Sequence, residues 1–362
     1  MILMNHIIKV YYKTSGIVSR YQSDHRWLEQ LREFEKKAEY PVCQLTRAQE
    51  KEINEYYAQF GFRSIKTDWH RYIYSVTGRF SPMMLPEDFF HRVVERSYND
   101  QSVAYAWEDK ALMPFLLDSV RFPETICCNI NGYYYDKNMK MISVSDARKL
   151  VSECEYGFAK PIISAGGGKG TMLVDCDHAD DVFDKHNKNF IVQKRIIQSS
   201  ETAHFNPTSV NTEKVVSFLY KGEVFILSSI LRIGAPDAIT DAASDGRGFF
   251  YSIKDDGSLS DFGMNIYGKK KIKDFFGNQT KGRKLSHHKE ILDIIKKAHK
   301  RFPYFGFMSW DFCVNDQDEV ILIEYNTGYP EALVYQMVTG PFLGELTDEV
   351  LSDLSDKLNL RS

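Results

Sequence analysis

The sequence predicts an α+β protein, helical first and strand-rich later, on three observations. Apolar and aromatic residues recur at helical spacing over the first third of the chain. Near residue 124 the texture changes to short strand-like runs set off by turn residues. Close to the end, two apolar runs at 307–314 and 320–325 flank the polar turn Asn315-Asp316-Gln317-Asp318. These observations divide the chain into a mostly helical region (1–123), a compact α+β module (124–196) and a second α+β module (197–362) that carries the late hairpin.

The helical region justifies itself residue by residue. Trp27, Leu28, Leu31 and Phe34 fall on one helical face within 25–60, and Thr46-Arg47-Ala48-Gln49 fits a capping box for a second helix. Residues 65–120 read as helix broken at Pro82 and Pro86. Pro86-Glu87-Asp88 opens a new helix, since proline suits a first turn and acids suit the positive N-terminal dipole.

The middle module alternates periods. Residues 125–129 and 133–135 read as strands joined by Asn131-Gly132, a hairpin turn signal. Residues 145–153 read as a helix capped by Ser145, 156–162 as a strand, 171–174 as a strand, 178–185 as a helix and 190–196 as a strand. Strands return at 213–220 and 224–231 around Lys221-Gly222. The Gly- and Asp-rich stretch 235–280 reads as loops and short strands, 291–301 as an amphipathic helix, and 330–360 as helix.

With 362 residues the chain can build more than one core, and 21 Tyr and 24 Phe give it large rings to bury. A net charge of −3 provides no general field for nucleic acid or a membrane, so an anion site must be local. Cys43, Cys127, Cys128, Cys154, Cys176 and Cys313 are scattered without a CxxC pair and read as buried free thiols. The opening MILMNHIIKVYYK is interrupted by Asn5, His6 and Lys9, and no later run reaches about 18 apolar residues. The expectation is a soluble cytoplasmic protein without membrane insertion or a nucleic-acid partner.

Two constellations carry chemistry. The first is Phe158-Ala-Lys-Pro-Ile-Ile-Ser-Ala-Gly-Gly-Gly-Lys-Gly170. A strand delivers Lys160, and a four-glycine loop then carries Lys169. Glycines let backbone N–H groups turn toward phosphate oxygens, while the lysines supply charge. The spacing is neither a Walker loop nor a dinucleotide fingerprint. The alternative is an ordinary glycine-rich hairpin.

The second is Trp310-Asp311 followed by Glu324-Tyr325-Asn326. If Asp316-Gln317 is a two-residue turn, position 311 faces 322 and Glu324 is the diagonal neighbour of Asp311, with Asn326 on the same face. A bulge would change that register. Two carboxylates and an amide oxygen are hard ligands suited to Mg²⁺. The alternative is a structural ion pair with a nearby Lys or Arg.

In order and spacing, these residues resemble the ATP-grasp superfamily over roughly 105–330, and within it the sugar-transfer-associated ATP-grasp family. The resemblance rests on Asp109-Lys110, Phe158-Ala-Lys-Pro with its glycine loop, Val192-Gln-Lys-Arg-Ile, Ser209-Val-Asn-Thr, Leu231-Arg-Ile-Gly, and the closing Trp-Asp and Glu-Tyr-Asn. It implies an ATP-grasp fold, two α+β modules gripping ATP. It implies that Lys110 and Lys160 contact ATP phosphates, that Gly166, Gly167, Gly168 and Lys169 cover them, that Gln193, Lys194, Arg195 and Ile196 form the adenine-binding strand, and that Glu201 binds ribose. It assigns Asp311, Glu324 and Asn326 to the metal, and Arg232 and Lys214 to the transferring phosphoryl and acceptor groups. Lys214 departs from the pattern, which reads Asn-Thr-x-Arg where this chain has Asn211-Thr212-Glu213-Lys214. Lysine keeps the charge but loses the bidentate fork.

The implied chemistry is ATP- and Mg²⁺-dependent joining of a carboxylate to an amine through an acyl-phosphate, with a small-molecule or glycan-linked carboxylate and an amine acceptor as partners. The family name places it in polysaccharide or sugar-conjugate biosynthesis. Two alternatives stay open at this level: a kinase acting on a hydroxyl, and a nucleotide-binding module without catalysis. His204, His287 and His288 read as surface or core residues. The helices at 25–60 and 330–360 are candidate homodimer surfaces or an acceptor platform.

Overall fold

The computed structural model describes residues 26–63, 65–163, 168–241, 246–328 and 330–360. Gly166 and Gly167 of the glycine loop and the N-terminal opening lie outside the described residues.

The helical region runs from a helix at 26–37 through Arg47–Ala58 and Asp68–Thr77 to a helix at 87–98. Thr46 caps the second as expected, its side chain accepting from the Gln49 amide while Gln49 reaches back to the Thr46 N–H. Pro86 stands at the N-cap of the fourth, which is α-helical at Glu87–Phe89 and Glu95–Tyr98 and π-helical at Phe90–Val94. These helices have no core of their own. Tyr57, Trp69, Tyr72 and Phe90 share one buried cluster with Phe218 and Phe307 of a sheet and with Tyr335, Phe342 and Leu351 near the C-terminus. The aromatic residues so abundant in the sequence are the cement: Phe218 and Phe307 stack with centroids 4.1 Å apart, and Phe90 meets Phe307 and Phe342 edge-on.

Six antiparallel strands form the first sheet: β1 (Thr125–Ile130), β2 (Tyr133–Asp136), β3 (Met141–Ile142), β4 (Gly157–Pro161), β5 (Met172–Val174) and β6 (Phe190–Lys194), in the order β3-β2-β1-β6-β4-β5. The β1–β2 turn places Asn131 at φ 51° and Gly132 at φ 95°, the pair of left-handed residues that a tight hairpin demands. Helices Val144–Ser152 and Ala179–Lys185 cover one face through Ala147, Val151, Val182 and Phe183. The first of them is capped by Ser143, not Ser145. Ser143 exchanges reciprocal hydrogen bonds with Asp146, and a capping box with an acid three residues on prevails over a lone serine.

The second sheet has seven strands: β7 (Thr212–Tyr220), β8 (Glu223–Ile233), β9 (Phe249–Ser252), β10 (Gly263–Met264), β11 (Lys270–Lys271), β12 (Phe307–Val314) and β13 (Val320–Asn326), in the order β11-β10-β9-β8-β7-β12-β13. On one face the helix His288–Ala298 and the 3₁₀ turn His299–Arg301 pack Ile291, Ile295 and Phe302 against Trp310, Phe312 and Tyr325. Ala332–Thr339 packs on the other face beside β8 and β9.

The register of the β12–β13 hairpin corrects the expectation. The loop is the five residues 315–319, closed by Val314 opposite Val320, and a bulge leaves Ile323 unpaired, so Asp311 stands directly opposite Glu324 and Ser309 opposite Asn326. Asn315 builds this loop by accepting from the backbone of Gln317 and Glu319, which a two-residue turn cannot offer. Of the cysteines, Cys127, Cys128, Cys154 and Cys313 are buried, but Cys43 and Cys176 are exposed; all six are free.

Candidate active site

Between the two sheets lies a cavity of about 720 Å³. Strand alternation decides which side chains enter it. In the first sheet Phe158 faces Gln193 across β4–β6 and Lys160 lies two residues along, so all three share the face opposite the covering helices and line the cavity. In the second sheet Lys214 pairs with Asp311, Asp311 with Glu324, and Thr212 with Arg232. Three ladders therefore bring Lys214, Arg232, Asp311, Glu324 and Asn326 to one wall of the same cavity.

Lys110, Lys214 and Arg232 each pair with a carboxylate there. Lys110, 5% exposed, sets its Nζ 3.0 Å from Glu324 Oε2, and its backbone N–H donates to the carbonyl of Ile162, the residue after β4. Lys214 Nζ donates to both Asp311 oxygens at 3.0 and 3.2 Å. Arg232 makes a bidentate pair with Asp241, Nε at 2.8 Å and Nη2 at 3.0 Å, while that Nη2 also lies 3.7 Å from Asp311 Oδ2. Burial pulls the Lys160 ammonium down to about 8, with Glu324 opposing the shift. Burial alone would raise the Glu324 carboxyl, yet Lys110 and Lys160 hold it down at about 2. Lys160, Lys214 and Arg232 thus line the cavity with Asp241, Asp311 and Glu324, while Lys110 pairs with Glu324 without lining it.

Gln193 shows a complementary vacancy. Its Nε2 donates to the Pro123 carbonyl at 3.3 Å, but its Oε1 is buried without a partner. An unpaired buried acceptor facing a cavity costs about 1–3 kcal/mol until a donor arrives.

Not every residue singled out in the sequence comes to the cavity. Lys194 and Ile196 line it, and Lys194 pairs with Glu124 at 2.7 Å; Arg195 is not on its wall. Gly168 lines it, and Lys169 is exposed beside the loop. The Glu201 carboxylate accepts from the Ser286 N–H and is not part of the wall. His288 is buried against Glu213, and His287 bridges Glu290 and Asp318, so neither faces the cavity. Among the described residues no group of three or more His, Cys, Asp or Glu has metal-holding geometry. The hard oxygen set is the facing pair Asp311 and Glu324 with Asn326 beside them.

The structure also adds residues that spacing did not reveal. Asp241 orients Arg232 and accepts from the Thr212 hydroxyl. Glu331 lines the same end. On the helical side, His91 is buried between Glu87 and Glu95, with Nε2 3.1 Å from Glu87 and Nδ1 2.7 Å from Glu95, and Trp27 stacks on its ring at 5.1 Å. Burial opposes the His91 charge, but the two carboxylates prevail and push it up to about 9. Glu87 also accepts from the Leu333 N–H, linking this cluster to the helix Ala332–Thr339.

The model of the family described as sugar-transfer associated ATP-grasp matches residues 90–351, and the chain belongs to that family. It is an ATP-grasp protein of mixed helix and sheet, and the paired antiparallel sheets around one cavity are its grip. No curated protein matches it. Solved structures similar to it include a complex of biotin carboxylase from Campylobacter jejuni with beta-gamma-ATP (TM-score 0.42, 14% identity, 68% of this chain and 46% of that one). Others are N5-carboxyaminoimidazole synthase from Aspergillus clavatus with ADP (TM-score 0.40, 9% identity, 68% and 56%) and the ATP-grasp ligase PsnB with minimal precursor, Mg and ADP (TM-score 0.42, 12% identity, 72% and 62%). The chain spans less than two thirds of the length of each.

Proposed function

We propose that the protein is an ATP-dependent carboxylate–amine ligase acting through an acyl-phosphate, in the assembly of a polysaccharide or sugar conjugate. The observation that carries the reading is the cavity, lined by Lys160, Lys214 and Arg232 together with Asp311, Glu324 and Asn326, with Lys110 paired to Glu324 but not itself on the lining. The sugar context comes from the family description alone.

In this reading the unpaired Gln193 Oε1 accepts from the adenine amino group, and the glycine loop, exposed at Gly168 and Lys169, covers the phosphates. Asp311, Glu324 and Asn326 would hold Mg²⁺, for which their oxygen set fits; bound there, the ion would neutralise phosphate charge. The chain's own work is positioning and electrostatics. Lys160 and Lys110 bind the phosphates. Arg232, steadied by Asp241, orients the substrate carboxylate and the γ-phosphoryl group, and Lys214 stands beside them as a second cation.

A carboxylate oxygen attacks the γ-phosphorus, the bond to the bridging oxygen breaks, and ADP leaves. The amine then adds to the carbonyl carbon of the acyl-phosphate, loses a proton, and expels phosphate. Closure of the first sheet over the cavity keeps water from the intermediate.

The test is turnover of Mg-ATP with pairs of sugar acids or amino acids and amines, reading ADP, free phosphate and amide together. All three should appear in equal amounts, and Arg232→Ala should lower turnover by about a hundredfold or more while sparing nucleotide binding. Phosphate retained on an organic product would replace this reading with a kinase. Turnover that never depends on a carboxylate would sink it.

A further inference from the structure

The edge of the seven-stranded sheet carries a surface that the nucleotide site does not use. Residues 268–284 hold seven Lys or Arg and a single Asp, in a chain whose net charge is −3. Lys271 lies over the Phe249 ring at 5.3 Å, and the other six fall into two groups. Lys281, Arg283 and Lys284 are tied to Asp261, Asp274 and Asp256. Lys269, Lys270 and Lys273 are exposed and make no ion pair among the described residues.

Beside these ammonium groups, of which that of Lys270 lies over the Phe262 ring at 4.7 Å, three apolar side chains point outward: Ile272 at 53% exposure, Phe275 at 43% and Phe276 at 59%. They stand on a built turn. Asp274 is buried, accepts from the Asn278 N–H at 2.8 Å and pairs with Arg283 at 2.6 Å, while Gly277 takes φ 84° and Lys273 bridges Gln279. The fold thus spends a buried acid and a left-handed glycine to hold two phenylalanines in solvent.

Lysines on β11 alone have a simpler explanation, since charge on an edge strand discourages pairing with another sheet. That explanation leaves the adjacent phenylalanines without a reason, because an exposed apolar tip works against it.

We propose that this edge docks the protein peripherally on an anionic lipid surface, with Phe275, Phe276 and Ile272 entering the headgroup–acyl boundary and Lys269, Lys270 and Lys273 meeting the lipid phosphates. Basic residues attract such a surface, and aromatic rings anchor in its interface. A single-stranded polynucleotide is the less suitable occupant. It stacks successive bases on ring faces, whereas Phe275 and Phe276 stand at 80° to each other with centroids 5.4 Å apart and leave no parallel platform. No helix of the described residues is long and apolar enough to cross a bilayer.

The experiment is co-sedimentation of the full chain with vesicles of phosphatidylcholine alone and of phosphatidylcholine mixed with phosphatidylglycerol, with heparin and a poly-dT oligonucleotide as polyanion arms. Of the two vesicle types only the mixed one is expected to bind, weakening as salt rises, and the lysines should give measurable retention on heparin. Phe275→Ser with Phe276→Ser should lower vesicle partitioning by about tenfold while leaving heparin retention unchanged, and Lys269→Glu with Lys270→Glu should lower both. Unchanged melting temperatures would certify the folds of these surface variants. The proposal is overturned if wild-type protein ignores the anionic vesicles. It is also overturned if the serine variant binds them as well as wild type, or if poly-dT binds more tightly than the vesicles.

Discussion

In the proposed reaction Asp241 carries no reacting atom, yet it fixes Arg232, a cation proposed to meet the transferring phosphoryl group. Its carboxylate holds Arg232 by two hydrogen bonds, at 2.8 and 3.0 Å, and ties the Thr212 hydroxyl to the same point. Asp241→Asn keeps the shape but removes the charge and one acceptor of the fork. The expected result is a fall in kcat of about ten- to a hundredfold with KM for ATP nearly unchanged, read by steady-state turnover. A variant that loses melting temperature and keeps kcat would show a purely structural role.

His91 makes a second residue-level prediction, about pH. Its folded pKa of about 9 lies above the ordinary 6.5, so its stabilisation is complete below pH 6.5 and is lost as pH rises through 9. The full loss is on the order of 3 kcal/mol. Lys160, pulled below its ordinary 10.5 to about 8, acts in the opposite direction between those values. Melting curves from neutral to alkaline pH should therefore fall more steeply for wild type than for His91→Gln; parallel curves would reject the assignment. Neither Asp241 nor His91 was legible in the sequence. Asp241 sits in a Gly- and Asp-rich stretch where no period marks one acid over its neighbours, and the His91 charge arises only when Glu87, Glu95 and Trp27 close around it. Asp311, Glu324 and Asn326 were singled out from strand alternation and Lys160 as the strand residue ahead of the glycine loop, whereas Lys214 and Arg232 came from the family resemblance alone; all six line the cavity.

At the scale of elements, β8 ends in a close approach that the site depends on. Gly234 lies one residue beyond the strand, and a Cβ there would meet the Thr240 carbonyl oxygen at 2.4 Å and the Asp241 Cα at 3.0 Å. Both contacts are backbone, so the loop would have to move, and Asp241 with it. Gly234→Ala should cost about 1–3 kcal/mol of stability and lower kcat by at least about tenfold, as measured by denaturant melts and turnover on one preparation. A variant that is less stable but fully active would show that the loop can shift without disturbing Arg232. The hairpin gives the matching lesson in legibility. Its two strands were clear from apolar runs, but the register depended on Asn315 organising a five-residue loop and on Ile323 bulging out, and a loop length cannot be read from strand composition. The bulge makes Asp311 and Glu324 direct partners, a closer pair than the diagonal one expected.

At the scale of the molecule, the site exists only where separate parts meet. Lys160 and Gln193 come from the first sheet, and Asp311, Glu324 and Arg232 from the second. Lys110 joins them, its backbone bonded to Ile162, the residue after β4, and its ammonium to Glu324 of the second sheet. The helical region, which looked from sequence like a separate body, closes the cavity with Trp27, Glu87 and His91 and shares its core with the C-terminal helices. A ligand seated there touches both sheets at once and binds the folded state alone, so Mg-ADP at about a hundred times its Kd should add roughly 2.7 kcal/mol to stability. With the metal chelated, ADP should stabilise much less, because Asp311 and Glu324 would face the phosphates with only their lysine partners between. Asp311→Asn combined with Glu324→Gln should remove the metal-dependent part of the shift, each protein being compared with its own ligand-free melt because the substitutions also strip Lys110 and Lys214 of their counter-charges. An ADP shift equal with and without the metal would mean that these carboxylates serve only as partners for the lysines.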